Sequence, residues 1–337
     1  MTNKAITIID IAKILGVSKS TVSRALKDHP DISNATKEAV QMMAKQLKYK
    51  PNAVAMSLRH KKSKVIGLIV PTLSPFFFPS VIHGIENEVN KRGYNLMILQ
   101  SNESYEREVL NVDILQSNNV EGILVSISRK TENLSHFTAL IEDNTPIVFF
   151  DRIPKSIQAD MVLVDDISGA FNAVEHLISI GKRKIAICLG NPNLLISSNR
   201  LSGYKKALKK HSIEINEEFI ITGQSSEEAE NETKRLLELT NPPDAILAIS
   251  DLTMSGIMKA LYAAKIKIPE DIAVIGFCED TFSQMYNPPV STIDPMGIEI
   301  GKIAAERLFQ RIHENNILEP KTINLSSRLI IRDSTKV

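Results

Sequence analysis

From Val65 onward the chain alternates between two patterns, and this alternation limits the folds open to it more than any other feature. Eight runs are almost continuously apolar: VIGLIVP (65–71), YNLMILQ (94–100), EGILVSI (121–127), PIVFF (146–150), MVLVD (161–165), KIAICLG (184–190), DAILAIS (244–250) and DIAVIGF (271–277). Helical periodicity lies between them, for example at 80–92 and 105–118. A strand with apolar residues at successive positions must be covered on both faces, which is the situation of a parallel sheet with helices on either side. Two successive sets of runs predict two doubly wound α/β lobes. Ligands bind such sheets at the carboxyl ends of the strands, so a cleft between the lobes is the natural small-molecule site.

Composition removes most other classes. At 337 residues, with 43% hydrophobic and 23% charged side chains, the chain is neither disordered nor collagen-like. No window approaches the ~18 apolar residues of a membrane span, and MTNKAITIID lacks a signal-peptide core. Two cysteines, Cys188 and Cys278, fit a reducing cytoplasm and exclude a disulfide scaffold or a multi-cysteine metal site. Cys188 sits mid-strand, where packing is the simpler reading than nucleophilic chemistry. The seven histidines show no metal-ligand spacing and read as surface or edge residues. No phosphate-cradling glycine loop, dinucleotide fingerprint or zinc-protease motif is present, so an enzyme reading has no support.

Charge is divided unevenly. Residues 1–64 carry eleven Lys and two Arg against Asp10, Asp28, Asp31 and Glu38, a surplus of nine, and the rest of the chain carries 27 basic and 35 acidic side chains. A short basic head on an acidic body suggests a polyanion-binding module, the alternative being a solvated or membrane-surface tail. The head has a pattern of its own. Ile8, Ile11, Ala12 and Leu15 recur at helical spacing, Gly16 stops that helix, and Val17 fills the turn. Ser18 is placed to cap a second helix with Thr21, Val22, Ala25 and Leu26 inward and Lys19, Ser20, Ser23 and Arg24 outward. A third helix starts near Ser33 and buries Val40, Met43, Ala44 and Leu47. This is helix-turn-helix patterning, with the second helix suited to the major groove of DNA. Its outward face carries no carboxylate before Asp28.

In YKPNAVAMSLRHKKSK, Pro51 ends the preceding structure and Asn52 can cap about two helical turns over residues 53–58. A helix that short is marginal alone and needs a partner to order it. The run TIIDIAKILGVSKSTVSRALKDHPDISNATKEAV, followed by YKPNAVAMSLR, resembles the lactose/galactose repressor (LacI/GalR) family of bacterial transcription regulators. The resemblance covers residues 6–60 closely. It extends more diffusely over the body through GLIVPTLSPFF, the Arg200-Leu-Ser-Gly-Tyr204 motif, SDLTMSGIMKAL, VIGF and RLIIRDS.

The resemblance implies an α plus α/β architecture. A three-helix helix-turn-helix DNA-binding domain (1–50) is followed by a hinge helix and linker (51–63) and a bilobed, periplasmic-binding-protein-like core. The first lobe then comprises 64–165 plus 295–325 and the second 166–294 plus 326–337, with crossings near 164–166, 292–296 and 323–327. It implies a homodimer on near-palindromic operator DNA. Lys19, Ser20 and Arg24 match base-reading positions, with Arg24 suited to guanine O6 and N7. Thr7, Ser18, Thr21, Ser23 and Asn34 match phosphate-holding positions; Ser18 and Thr21 equally have a capping role, and Lys19 could touch phosphate. Asn52, Ala55 and Leu58 belong to the hinge helix, with Leu58 matching the leucine that wedges open a base step. No coiled-coil heptads occupy 313–337, so a dimer is expected rather than a tetramer.

Candidate effector contacts are Phe77, Phe78, Asp151, Arg200, Ser250, Asp251 and Cys278. Phe77 and Phe78 could stack on a ring face or pack in a core or dimer interface. Asp151 could accept sugar hydroxyls or pair with Arg152 at the surface. Arg200 is read as opening a helix and contacting ligand or making a structural ion pair, and Asp251 as a ligand acceptor or an N-cap. Many family members carry a ligand-binding aspartate directly after the IGF-type strand, and here that position is Cys278, followed by Glu279 and Asp280. With Arg200 as the one cation at these landmarks, a sugar or sugar derivative, acidic or substituted, is the expected effector. A purine or a protein corepressor is the alternative. No cofactor, metal or membrane partner is expected.

Overall fold

The computed structural model describes residues 6–49, 63–74, 76–154, 156–192, 194–314 and 319–336. It divides into two compact units, Met1–Ser63 and Lys64–Val337, taken here in turn.

In the first unit α1 spans Ile8–Leu15, α2 Lys19–Ala25 and α3 Asn34–Gln46. Gly16 ends α1 at φ 66, a left-handed conformation that glycine adopts without steric cost. Ser18 caps α2 by accepting the Thr21 N–H at 3.0 Å, and Ser33 caps α3 through the Thr36 N–H. The core is Ile11, Ala12, Val22, Ala25 and Val40. Met43, Ala44 and Leu47 are only half-buried against it, less than the sequence pattern predicts, because a three-helix core this small cannot enclose the last turns of α3. The hinge candidates Asn52, Ala55 and Leu58 lie outside the described residues.

The second unit contains two sheets of six strands. In the first the order is β11–β5–β4–β3–β1–β2 and every pairing is parallel. Its strands are β1 Val65–Val70, β2 Asn95–Gln100, β3 Gly122–Val125, β4 Ile147–Phe150, β5 Asp160–Val164 and β11 Thr322–Leu325. In the second the order is β12–β10–β9–β8–β6–β7, with only β12 antiparallel. It comprises β6 Ile185–Leu189, β7 Ile220–Thr222, β8 Ala245–Ala248, β9 Ala273–Phe277, β10 Ser291–Asp294 and β12 Arg328–Ile330. The eight apolar runs all become strands. The sequence pattern did not reveal β7, β10, β11 and β12, three of which are short edge strands.

Each sheet has a core on both faces. Along β1, Ile66, Leu68 and Val70 join one cluster and Ile69 the opposite one. Along β6, Ile185, Ile187 and Leu189 face one way while Ala186 and Cys188 face the other. The flanking helices are α4 (Phe77–Lys91), α5 (Tyr105–Ser117) and α6 (Ser135–Glu142), then α7 (Asp166–Ser179), α8 (Leu195–Lys210), α9 (Ser226–Leu237), α10 (Asp251–Ala263) and α11 (Asp280–Ser283). α12 (Gly297–His313) returns to the first lobe, where it packs with α4 over β1, β3 and β4. The chain therefore passes between the sheets after Val164, after Asp294 and between Leu325 and Arg328. In each sheet the connectivity reverses beside the strand that starts the lobe, between β1 and β3 and between β6 and β8. Crevices at such reversals are where open α/β sheets bind ligands. No helix among the described residues is long and apolar enough to cross a membrane.

Candidate functional site

In the first unit the predicted DNA-facing residues gather on and beside α2. Lys19, Ser20 and Arg24 are exposed and Ser23 is half-buried. The Ser18 hydroxyl lies 2.7 Å from that of Ser20 and 2.8 Å from that of Thr21. These three hydroxyls thus form one network at the start of α2, where helix N–H groups already favour an anion. Thr7 precedes α1 and donates its backbone N–H (2.8 Å) and its hydroxyl (2.7 Å) to the Asp10 carboxylate. Asn34 is exposed at the first position of α3. Arg24 has an acidic neighbour that the reading of α2 alone missed: Asp31 lies 3.9 Å from its guanidinium, with both side chains more than half exposed.

In the second unit the carboxyl ends of both sheets converge on a cavity of about 420 Å³. Phe77, Phe78, Asp151, Arg200, Ser250 and Asp251 all line it. Phe78 is buried in the first-lobe core and sets its ring edge-on to Phe77, centroids 5.3 Å apart. Phe78 thus packs in the core while both rings border the cavity.

Arg200 does not open its helix. It sits in the second turn of α8, where its Nε donates to Asp166 at 2.7 Å and another nitrogen donates to the Ile249 carbonyl. Its guanidinium carbon lies 3.7 Å from the centre of the Phe277 ring. All three of its nitrogens thus have partners within the second lobe. Burial raises the pKa of Asp166, and Arg200 opposes that rise.

Asp251 is the first residue of α10 rather than its cap. Ser250 is the cap, accepting the Thr253 N–H at 3.3 Å. The Asp251 carboxylate accepts the backbone N–H of Glu279 at 3.1 Å, and burial pushes its pKa up to about 6. Asp151 follows β4 at φ 58, a left-handed conformation that favours Asp and Asn among non-glycine residues. Its nearest donors are Ser126 Oγ at 3.4 Å and the Arg152 Nε at 3.9 Å. Burial pushes its pKa up to about 6 despite Arg152 and Arg200.

Cys278 does not line the cavity. It is fully enclosed in the core beneath α10, and burial, with Asp251 beside it, raises its thiol well above the ordinary range. The side chain following β9 turns away from the cleft, and Phe277 takes the place on the wall. Cys188 is likewise buried, its thiol pushed up to about 12 by desolvation.

The sequence reading missed Arg129 and Glu103 and considered Arg152 only as a surface partner of Asp151. Arg129 and Arg152 line the same cavity, and both engage Glu103, at 3.1 Å and 2.7 Å. Asn102 and Glu103 follow β2 in consecutive left-handed conformations, φ 52 and φ 57, which turn the Glu103 carboxylate toward the arginines. Arg129 also donates to Gln224 of the second lobe at 3.4 Å. The loop bearing Arg129 is held from below by fully buried Glu108, which accepts the Ser128 N–H at 2.6 Å and the Thr131 hydroxyl at 2.7 Å. His136, at 3.1 Å from the same carboxylate, is one histidine that the sequence placed at the surface and the structure buries. Such strand-end loops carry no periodic signal, and only their position at carboxyl ends could have marked them. Among the described residues no group of His, Cys, Asp and Glu could hold a metal ion.

Comparison with known proteins adds three findings. Residues 7–52 match the model of bacterial regulatory proteins of the lacI family, and residues 174–335 match a periplasmic binding protein-like domain. The HTH-type transcriptional repressor PurR of Vibrio atlanticus (strain LGP32) is 33% identical over 318 residues, covering 93% of this chain and 95% of that protein. Among solved structures, a transcriptional regulator CelR–cellobiose complex superposes with a TM-score of 0.74 at 26% identity, covering 98% of this chain and 99% of that one. A lac repressor dimer bound to operator and the anti-inducer ONPF superposes with a TM-score of 0.87 at 24% identity, covering 99% of this chain and 100% of that one.

Proposed function

The chain belongs to the lacI family of ligand-responsive, DNA-binding transcription regulators, and from that premise we propose that it is a homodimeric repressor whose effector is a sugar or sugar derivative. It would act in the cytoplasm on a near-palindromic operator, each protomer supplying one α2 to the major groove. Ligand in the cavity changes the setting of the lobes, and operator affinity follows by linkage.

The observation that carries the ligand class is the pair of buried carboxylates on the cavity wall. Asp151 and Asp251 both have pKa values pushed up to about 6 by burial, so each gains from a donor brought in by the ligand. The guanidiniums are already engaged, Arg129 and Arg152 by Glu103 and Arg200 by Asp166. A ligand rich in hydroxyls, neutral or amine-bearing, therefore fits better than an acidic sugar, and Phe77 and Phe78 offer it an apolar wall. A purine is the second reading. The side-chain amides of Gln100, Asn102, Asn191 and Gln224 lie on the cavity wall and are the groups that would supply its donors and acceptors.

The test is calorimetry of the full chain with neutral sugars, amino sugars, sugar acids, sugar phosphates and purines, with Arg200→Ala as control. Neutral or amino sugars should bind, and Arg200→Ala should weaken them. Purine binding in preference to every sugar refutes the ligand class, and sugar binding untouched by Arg200→Ala refutes the site.

A further inference from the structure

Beside the cavity the two lobes touch directly. Phe76, preceding α4, and Phe282 of α11 bring their ring centres within 4.7 Å. The Asp251 carboxylate of the second lobe lies beside the backbone of Phe77 in the first. Next to it, Glu279 extends its carboxyl from the segment after β9 into the first lobe, beside Ser80 of α4, whose hydroxyl donates to the Phe76 carbonyl at 3.4 Å. The Glu279 Oε1 rests against Gly297 at the start of α12: a Cβ on Gly297 would come 2.7 Å from that oxygen and 2.9 Å from Ser80 Cβ. A bare Cα and a serine thus form a notch that one carboxyl fills. That Oε1 is shut off from solvent and has no hydrogen-bond partner.

The ionisable groups facing Glu279 are acidic or neutral. They are Asp251 at the start of α10, Asp280 of α11, Asp294 at the end of β10 and the Cys278 thiol. Asp280 and Asp294 are themselves paired, with Arg332 and Arg328. Among the described residues no ion pair reaches Glu279.

We propose that Glu279 couples the cavity to the setting of the two lobes, its carboxyl acting as a proton-dependent plug in the Ser80–Gly297 notch. The backbone N–H of Glu279 donates to Asp251, the same carboxylate that faces the cavity and lies beside Phe77. A ligand that donates to Asp251 therefore draws on the group that seats the plug. The proposal stands on the contact between lobes and does not need the sugar reading of the effector.

Seated in the notch, Glu279 is raised from 4.5 to about 7, by burial first and by the three aspartates next. A carboxyl with a raised pKa favours the state that raises it when it is protonated. The seated arrangement is thus fully favoured below the ordinary glutamate range and loses that advantage as pH rises to about 7.

Hydrogen exchange on the full chain tests this, at about pH 5 and about pH 8, with uptake corrected for the intrinsic rate and with β8 as internal reference. In the wild type, protection of residues 76–84 and 297–301 should fall about tenfold or more relative to β8 between the two conditions. Glu279→Gln, which carries the neutral form permanently, should keep both segments protected at both. Gly297→Ala, whose methyl displaces the carboxyl, should leave both segments exchanging fast at both. Wild-type protection that does not vary with pH overturns the proposal. So does a Glu279→Gln protein that behaves like the wild type at high pH, or a Gly297→Ala protein that retains the wild-type pH dependence.

Discussion

Asp151 sits where stability and binding make opposite demands. Its backbone is left-handed at φ 58, its carboxylate is buried, and its polar contacts are long, at 3.4 and 3.9 Å. With a pKa near 6, its charge is opposed by the fold at neutral pH, and the stability it contributes when protonated is lost as pH rises through that value. Asp151→Asn keeps a residue type that tolerates the left-handed backbone and removes the buried charge. The variant should therefore unfold later than the wild type at pH 8, by on the order of 1–3 kcal/mol, with the gain vanishing toward pH 4. It should bind effector more weakly, since an amide oxygen is a poorer acceptor than a carboxylate. Denaturant midpoints at the two pH values check the first part and calorimetry the second; an Asn variant less stable at both would show that Asp151 is satisfied by its neighbours. Arg24 offers a simpler residue-scale case. It is exposed on α2, where among the described residues Asp31, at 3.9 Å, is its ion-pair partner. Arg24→Ala should cost about 1–3 kcal/mol on the preferred operator and relax one base position. Binding selections from randomised DNA read both, and a uniform loss across all sequences would reassign Arg24 to the phosphates.

At the scale of elements, two glycines show what a pattern of apolar residues does not contain. Gly84 in α4 and Gly301 in α12 bring these helices into backbone contact: an added Cβ would lie 2.2 Å from the Ile298 carbonyl oxygen at the first and 2.1 Å from that of Val81 at the second. A glycine in mid-helix is a cost of about 1 kcal/mol when the sequence is read alone. Here it is what lets α12 lie on α4. Gly301→Ala should destabilise the body by roughly 1–3 kcal/mol or more, because backbone atoms cannot step aside as side-chain ends do. A lowered denaturant midpoint with the head's helical signal unchanged is the expected readout. All eight apolar runs became strands, the edge strand β2 among them although none of its residues is fully buried, and the caps at Ser18 and Gly16 lie where the residue types indicate. The strands that escaped are short or only partly buried, TINL with an alternating exposed pattern and RLI with an exposed first residue. The candidate site residues were legible where they adjoin a strand's end or open a helix, as at Asp151 and Asp251. They were not legible in loops, where Glu103 and Arg129 owe their positions to left-handed turns and to a buried carboxylate twenty residues away in sequence from the Ser128 it holds. Cys278 was misplaced for a related reason: strand alternation, not proximity in sequence, decides which of two neighbours faces the cleft, and Phe277 has that place.

At the scale of the whole molecule, the division of charge separates two kinds of DNA affinity that one protein must combine. The first 64 residues hold thirteen basic side chains against four acidic ones, whereas the remaining residues are acidic overall. Contacts from the head to phosphates release counterions whatever the DNA sequence, so the logarithm of affinity should fall linearly with that of salt concentration, by about 0.9 per phosphate neutralised. With six to ten such contacts, the loss between about 50 and about 200 mM salt is roughly a thousandfold or more. The proposed effector site lies in a cavity whose walls are carried by the acidic body, so a ligand bound there adds no charge to the head. The ligand should therefore change affinity for the operator while leaving binding to random DNA, and the salt slope on random DNA, as they were. The two effects separate in one titration series: operator and random duplex, with and without a ligand that calorimetry has identified, over a range of salt. Parallel lines on random DNA and displaced lines on operator are the expected outcome. A ligand that weakens or strengthens both DNAs equally would mean that it acts on the charge of the assembly, and the lobes would then not be the element through which regulation passes.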